Sequence, residues 1–331
     1  MIKARIIGLG SYLPKNILSN QDLEKMVETS NDWIVSRTGM HERRIARDDE
    51  FPSDMGASAA LEALKSCGLR AEQVDMIIVA TMSPDYISPS TANLIQAKIN
   101  LENAAAMDIQ AACTGFLYAL SIAKAFIENH TYKNVLVVAT EKMSAFIDYQ
   151  DRNTCILFGD GAAAAVVSGN GRGLQIDSLS LGSDGKFADL VKIPAGGSRH
   201  PATQQTLEGR QHYFQMSGNE LFKHAVRKMS LAAQECLEQN GLTEKEISWL
   251  VPHQANKRII DALAKNFGVA NEKVYQTIHK YGNTSASSIL IALHELTQNY
   301  KLQSGEHLLL TAFGGGLTWG AGLLTYIGEQ D

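Results

Sequence analysis

Two stretches, AAAMDIQAACTGF (104–116) and VYQTIHKYGNTSAS (274–287), occupy the same place in two runs of the chain that repeat each other's order. In both, a short apolar segment gives way to small residues and then to an apolar helical pattern, as where a strand turns into a buried helix. Upstream stand ALEALKSCGLRAEQVDMIIVAT (60–81) and AAQECLEQNGLTEKEISWLVPHQ (232–254); downstream stand NVLVVAT (134–140) and HLLLTAF (307–313). Both runs therefore read helix, strand, helix, strand, helix, strand, strand. That order predicts two fused, pseudo-symmetric α/β halves sharing one interface, 1–170 and 171–331. The alignment sets Cys113 opposite Asn283, each after the middle strand of its half. With His253, which follows the first strand of the second half, they stand at the carboxyl ends of strands, where open α/β sheets bind ligands.

The predicted strands are 3–9, 75–81, 105–109, 134–140, 160–167, 174–181, 247–252, 274–278, 307–313 and 320–327, and the helices 20–29, 53–67, 89–99, 114–129, 218–239, 255–267 and 285–299. The polar, glycine-containing stretch 183–216 reads as an ordered excursion or lid.

A chain of 331 residues, 45% hydrophobic and 20% charged, is long enough for a large core. Its formal net charge of -5 argues against nucleic-acid binding, which needs a basic surface. No apolar run reaches membrane-spanning length, and MIKARIIGLGSYLP alternates instead of forming a signal peptide's apolar block. We therefore expect a cytoplasmic protein without a membrane partner. Cys67, Cys113, Cys155 and Cys236 lack CxxC spacing, so neither a disulfide framework nor a metal site is expected. Cys67 and Cys236 fall in helical patterns and read as packing.

Cys113 lies at the expected amino end of a helix, whose unpaired N–H groups favour a thiolate nucleophile. A packing cysteine at the same junction fits as well. A lone histidine is more often structural, but His253 alone of the nine has this strand-end setting; His279 is an undecided neighbour. Asn283 in YGNTSASS competes with a plain helix cap, since asparagine is a favoured N-cap. FGGGLTWGAGL (313–323) is a glycine-rich turn able to present a backbone N–H to an oxyanion, and it matches neither phosphate-binding nor dinucleotide-binding fingerprints.

The motifs GLGSYLP (8–14), TSNDWIVSRTGM (29–40), AACTGF (111–116), DRNTCILFGDGAAAA (151–165), SGNELFK (217–223), VPHQANKRII (251–260), YGNTSAS (281–287) and FGGGLTWGA (313–321) span essentially the whole chain. Together they resemble the thiolase-fold condensing enzymes, specifically the initiating type, β-ketoacyl-acyl-carrier-protein synthase III. The resemblance implies a thiolase fold of α-β-α-β-α layers. It also implies decarboxylative condensation of an acyl-CoA, acetyl-CoA being the expected primer, with malonyl-acyl carrier protein, which initiates fatty acid biosynthesis. Cys113 would carry the acyl group, His253 and Asn283 would donate hydrogen bonds to the malonyl thioester oxygen, and the N–H groups of Cys113 and Gly315 would form the second oxyanion hole. No metal or other cofactor is implied, CoA thioester being a substrate.

The same resemblance assigns Thr29, Trp33, Arg37, Arg152, Gly218, Asn219, Phe222 and Asn256 to CoA binding, with Trp33 and Arg152 stacking on the adenine. An acidic carrier protein would dock on Lys223, Arg227, Lys257, Arg258 and Lys265, with Lys228 on the same helix, and a homodimer is implied. Acetyl-preferring synthases can place a bulky aromatic from the partner subunit in the segment that reads DYISPS (85–90) here. Ser88 stands at that position, which predicts a roomier acyl pocket. Three other readings share the triad: another thiolase-fold acyltransferase making a quinolone or polyketide, a silent carrier-binding module, and a Cys-His-Asn hydrolase.

Overall fold

The computed structural model describes residues 2–328; residue 1 and residues 329–331, the outer ends of the two expected halves, lie outside the described residues. The chain enters through β1 (Arg5–Tyr12), and a two-stranded ribbon of β2 (Asn16–Ser19) and β3 (Glu42–Ile45) brackets helices α1 (Asn20–Leu23) and α2 (Asn31–Thr38). Next come α3 (Pro52–Cys67), β4 (Met76–Ala80), α4 (Thr91–Lys98), β5 (Ala105–Ile109), α5 (Gly115–Glu128), β6 (Asn134–Glu141), α6 (Arg152–Cys155), β7 (Gly161–Ser168) and β8 (Gly173–Ser183). The excursion after β8 carries β9 (Val191–Lys192), α7 (Gln204–Glu208) and β10 (Gln215–Met216). The rest of the chain is α8 (Gly218–Gln239), β11 (Ile247–Pro252), α9 (Lys257–Phe267), α10 (Ile278–Tyr281), α11 (Ser288–Asn299), β12 (His307–Gly314) and β13 (Thr318–Ile327).

Nine strands hydrogen-bond in the order β11-β12-β13-β8-β1-β7-β6-β4-β5. Reading outward from the middle, β1-β7-β6-β4-β5 is mirrored by β8-β13-β12-β11. The two leaves meet where Arg5 and Ile6 of β1 oppose Gln175 and Leu174 of β8. Strand alternation then sorts the core. Ile78, Val137, Ala165, Leu308 and Leu310 face inward onto α5 and α11, while Ile77, Val79, Leu136 and Val138 face α3 and α4. On the far side Leu309, Leu323 and Phe313 pack with α8 and α9. The resulting layers are α-β-α-β-α. Helix α11 buries Ile289, Leu290, Ile291, Leu293 and Leu296 on all sides, as a helix between two sheets must. Each such side chain contributes roughly 1.5–3 kcal/mol by leaving water.

Most expected elements form, with instructive differences. The helix expected over 20–29 stops at Leu23, where a capping box on Ser19 starts only one turn. The sequence reading missed α2, although Ser30 caps it and Gly39 closes it in the left-handed region at φ +77°. The expected strand 274–278 is reduced to one bridge, Val274 with Leu250. The cause is local: the N–H groups of Thr277 and Ile278 donate to Gln254 Oε1 at 2.9 and 3.1 Å instead of extending a ladder.

Candidate functional site

Cys113, His253 and Asn283 line one cavity of about 810 Å³, together with Phe158, Phe313 and Gly315. The elements bring them in by three different routes. Cys113 sits in a 3-10 turn, Ala112–Thr114, between β5 and α5. Ala112 is held at φ +46°, and the Thr114 hydroxyl donates to the Ala111 carbonyl at 2.6 Å. The end of β12 lies so close to this turn that a Cβ on Gly314 would stand 2.7 Å from the Cys113 nitrogen. Only glycine fits there. The thiol donates weakly to Ser285 Oγ at 3.6 Å. Burial pushes it up to about 12, opposed by the Ser285 hydroxyl and reinforced by the charge of Glu141. Desolvation therefore opposes the thiolate that the expected helix end favours.

His253 directly follows β11, its backbone N–H donating to the Thr311 carbonyl at 2.8 Å. Its ring is 2% exposed, and burial lowers its pKa to about 3, so it is neutral at physiological pH. Nδ1 lies 2.6 Å from Ser288 Oγ, and that hydroxyl oxygen also accepts the Gln254 N–H at 3.4 Å. A neutral ring whose Nδ1 accepts from this hydroxyl carries its proton on Nε2, the tautomer able to donate into the cavity. Ser288 thus holds the neutral ring of His253 at Nδ1.

Asn283 follows Gly282, which adopts φ +63° with room for a Cβ only 2.9 Å from the Leu157 carbonyl. The Asn283 backbone pairs with the segment around Phe158, donating to Leu157 O at 2.8 Å and accepting from Gly159 N at 3.1 Å. Its Oδ1 accepts the Ser285 N–H at 2.8 Å. The helix cap weighed in the sequence does not form, since Thr284 and Ser287 hold the two N-cap positions; Oδ1 instead closes a local turn, which leaves the amide NH2 as the remaining donor group. The sequence alignment of Cys113 with Asn283 is shifted by three residues: Ala112 at φ +46° and Ser285 at φ +52° open matching 3-10 turns, so the counterpart of Cys113 is Ala286.

Of the other expected residues, Trp33, Arg37, Gly218, Asn219, Phe222 and Asn256 line the same cavity, whereas Thr29 and Arg152 do not. Arg152 instead stacks on Trp33 with its guanidinium 4.8 Å from the ring centre, and Arg37 approaches the same ring at 5.6 Å. The Thr29 hydroxyl is buried without a partner. Asn256 caps α9, accepting the Arg258 N–H at 2.9 Å. Lys223 and Arg258 line the cavity; Lys223 and Arg227 also line a neighbouring groove between α8 and α9. Lys257 is paired with Asp261 at 2.6 Å, Lys265 is exposed in the last turn of α9, and Lys228 lies over the Trp319 ring at 3.8 Å. His279 lies outside the lining, its carbonyl accepting the His41 N–H at 3.1 Å. Among the described residues no cluster of His, Cys, Asp and Glu is placed to hold a metal ion.

The sequence reading did not find Ser285, Ser288, Gln254 or Glu141. Only Glu141 left a signal, as a charge closing the apolar run NVLVVATE.

Comparison with known proteins adds independent findings. Residues 107–185 match the family model for 3-oxoacyl-[acyl-carrier-protein] synthase III, and residues 237–326 match the model for its C-terminal region. The β-ketoacyl-[acyl-carrier-protein] synthase III of Chlamydia trachomatis serovar D is 55% identical, covering 98% of this chain and 100% of the relative. The crystal structure of 3-oxoacyl-[acyl-carrier-protein] synthase III from Aquifex aeolicus superposes with a TM-score of 0.90 at 48% identity, covering 98% and 100% of the two chains. The priming β-ketosynthase of the R1128 polyketide pathway also superposes at 0.90, with 35% identity over 98% and 96%.

Proposed function

Because this chain belongs to the β-ketoacyl-acyl-carrier-protein synthase III family, we propose that Cys113, His253 and Asn283 divide the family's reaction between them. The protein is an acyltransferase. It condenses an acyl-CoA with malonyl-acyl carrier protein through an acyl-cysteine, starting fatty acid chains, with CoA thioester as substrate and no cofactor.

In this reading the Cys113 sulfur attacks the acyl-CoA carbonyl and CoA departs. Malonyl carrier then enters, and His253 Nε2–H and the Asn283 amide donate to its thioester oxygen. That matters because loss of CO2 leaves an enolate, which forms at an accessible rate only if its charge falls on an oxygen already facing donors. A neutral histidine suits this role, since it supplies a proton to share rather than to lose. The enolate carbon attacks the acyl-cysteine, whose oxygen points at the N–H groups of Cys113 and Gly315. The observation that carries the reading is the convergence of the three side chains on one cavity, with His253 held at Nδ1 by Ser288 and Asn283 held at Oδ1 by Ser285, which supports roles for Nε2 and the amide nitrogen toward substrate.

We further propose a CoA channel past Trp33, Arg37, Gly218, Asn219, Phe222 and Asn256. Thr29 and Arg152 support Trp33 from behind, and carrier protein docks on Lys223, Arg227, Lys257, Arg258 and Lys265. A homodimer is favoured by the loop carrying Tyr86 and Ile87, which are 61% and 94% exposed, since bare apolar side chains of this size want a partner surface. The division into halves near residue 170 and a cytoplasmic location belong to the same proposal. Ser88 on that loop, small and polar, supports a roomier acyl pocket.

The likeness to a polyketide priming ketosynthase keeps a second product in view, so the test must read the product. Incubation with isotopically labelled acetyl-CoA, butyryl-CoA and longer acyl-CoAs should put an acyl mass on Cys113. Malonyl carrier protein should then remove it with release of CO2 and a β-ketoacyl carrier. Free acid as the sole product would make the protein a hydrolase, and faster loading of acetyl than of every longer primer would refute the roomier pocket.

A further inference from the structure

Glu141 closes β6 and is fully buried, 0% exposed, beside the turn that carries Ser285. Its hydrogen-bond partners are hydroxyls and amides. Ser83 Oγ donates to it at 2.5 Å, the backbone N–H groups of Met82 and Ser83 at 3.1 Å each, and Thr81 Oγ1 at 3.2 Å. The neighbouring charges are turned elsewhere: the Lys142 ammonium donates to the carbonyls of Arg47 and Glu50, and Asp160 accepts from Ser144 and Ala46. A carboxyl buried among neutral groups is expensive to keep unless it is used. Ser285, on that neighbouring turn, is the residue in contact with the nucleophile. The Ser285 hydroxyl contributes to stabilising the ionised carboxyl, less than Ser83 does, and stands 3.6 Å from the Cys113 sulfur. Ser285 is also one of the few non-glycine residues in the left-handed region, at φ +52°, a strained backbone pinned by Asn283 Oδ1 at 2.8 Å.

We propose that Ser285 and Glu141 form a buried proton relay for Cys113 during acyl loading, a role that rests on Cys113 being the nucleophile. As the sulfur attacks the thioester carbonyl, the thiol proton moves to Ser285 Oγ and the serine's own proton moves to a Glu141 oxygen. The Sγ–acyl bond forms and the acyl–S bond to CoA breaks, its electron pair leaving on the CoA sulfur. The proton returns along the same path to that sulfur, so loading is proton-neutral. Burial sets the two ends of the relay for this exchange. The carboxyl is pushed up to about 7, close to the working pH, while the thiol at about 12 supplies little thiolate unaided. Glu141 acts here through Ser285 and is a positioning residue; Ser285 touches the reacting sulfur.

The test separates the two half-reactions. Loading of labelled acetyl-CoA onto Cys113 is followed by rapid-quench mass spectrometry from pH 5.5 to 9.5, and decarboxylation is followed on enzyme acylated beforehand. In the wild type, loading should rise with pH and level off above about 7. Glu141→Gln keeps size and hydrogen bonding, and should slow loading about 10²-fold at pH 7.5. Its rate should climb across the whole pH range, and loading should fall far more than decarboxylation does. Ser285→Ala should reproduce that profile and carries the test alone if the glutamine variant does not fold. An unchanged pH profile in the variants, or equal loss of both half-reactions, would overturn the relay. Absence of a wild-type adduct on Cys113 would instead overturn the nucleophile assignment beneath it.

Discussion

At the scale of single residues, Asn283 and His253 hold equivalent posts by unlike means. A serine hydroxyl holds the histidine ring at Nδ1, and a backbone N–H holds the asparagine amide at Oδ1. On the proposed division of labour, Asn283→Ala would remove one of two donors from the malonyl oxygen while leaving the thiol and Gly314 in place. Acyl loading should persist, and decarboxylation should drop about 10²–10³-fold, measured as CO2 release per acylated enzyme; equal loss in both steps would show that Asn283 also serves the nucleophile. That Cys113, His253 and Asn283 share one cavity was legible because motifs and strand-end positions group them. Their partners were not. Ser285 and Ser288 are two of many serines in the chain, and only the packing of two turns from distant parts of the sequence gives them their work. Cys113 also reads differently in three dimensions: helix-end electrostatics are visible in sequence, whereas the burial that opposes them is not.

Among the elements, α8 and α9 present cations beside the cavity mouth. Lys223 and Arg258 line the cavity itself, so Arg227 and Lys265 are the cleaner probes of docking. Reversing both charges, Arg227→Glu with Lys265→Glu, should raise the KM for malonyl carrier about three- to tenfold, in keeping with rim charges that act through association. The effect should fade at ~0.5 M salt, and loading from acetyl-CoA should not change. An equal effect on acetyl-CoA would place these residues on the CoA path instead. Helices with one apolar stripe, such as α8, were read to the residue from periodicity, as was β5. Two elements escaped for opposite reasons. Helix α2 has polar and apolar residues too mixed for a stripe, and only its caps mark it. The segment 274–278 has a strand's composition, but a single side chain, Gln254, takes the N–H groups a strand would need.

For the whole molecule, buried titratable groups pull in opposite directions with pH. His253 falls to about 3 from an ordinary 6.5, so it stabilises the fold above 6.5 and that contribution is lost as pH drops toward 3. Glu141 rises from 4.5 to about 7, so it favours the fold most below 4.5 and loses that as pH climbs through 7. Between about pH 4.5 and 6.5 the two offset each other, each with a slope near 1.4 kcal/mol per pH unit at most. Thermal melts across this window should fall more steeply with acid in Glu141→Gln than in wild type, and less steeply in His253→Gln; parallel curves would mean that neither group is held as described. The mirrored leaves were legible in the repeated order of elements, and the layers came from the resemblance carried by the motifs. The seam where β1 meets β8 was not, since it rests on a handful of backbone contacts. Sharing the middle layer has a consequence for how the chain is made. Helix α5 finds its packing partner α11 only after some 160 further residues, and at roughly 5–20 residues per second the ribosome needs about ten to thirty seconds to deliver them. Throughout that interval the nascent first half carries an apolar helix with one side unfilled, which makes synthesis, rather than the finished fold, the stage at which this protein is most exposed to aggregation.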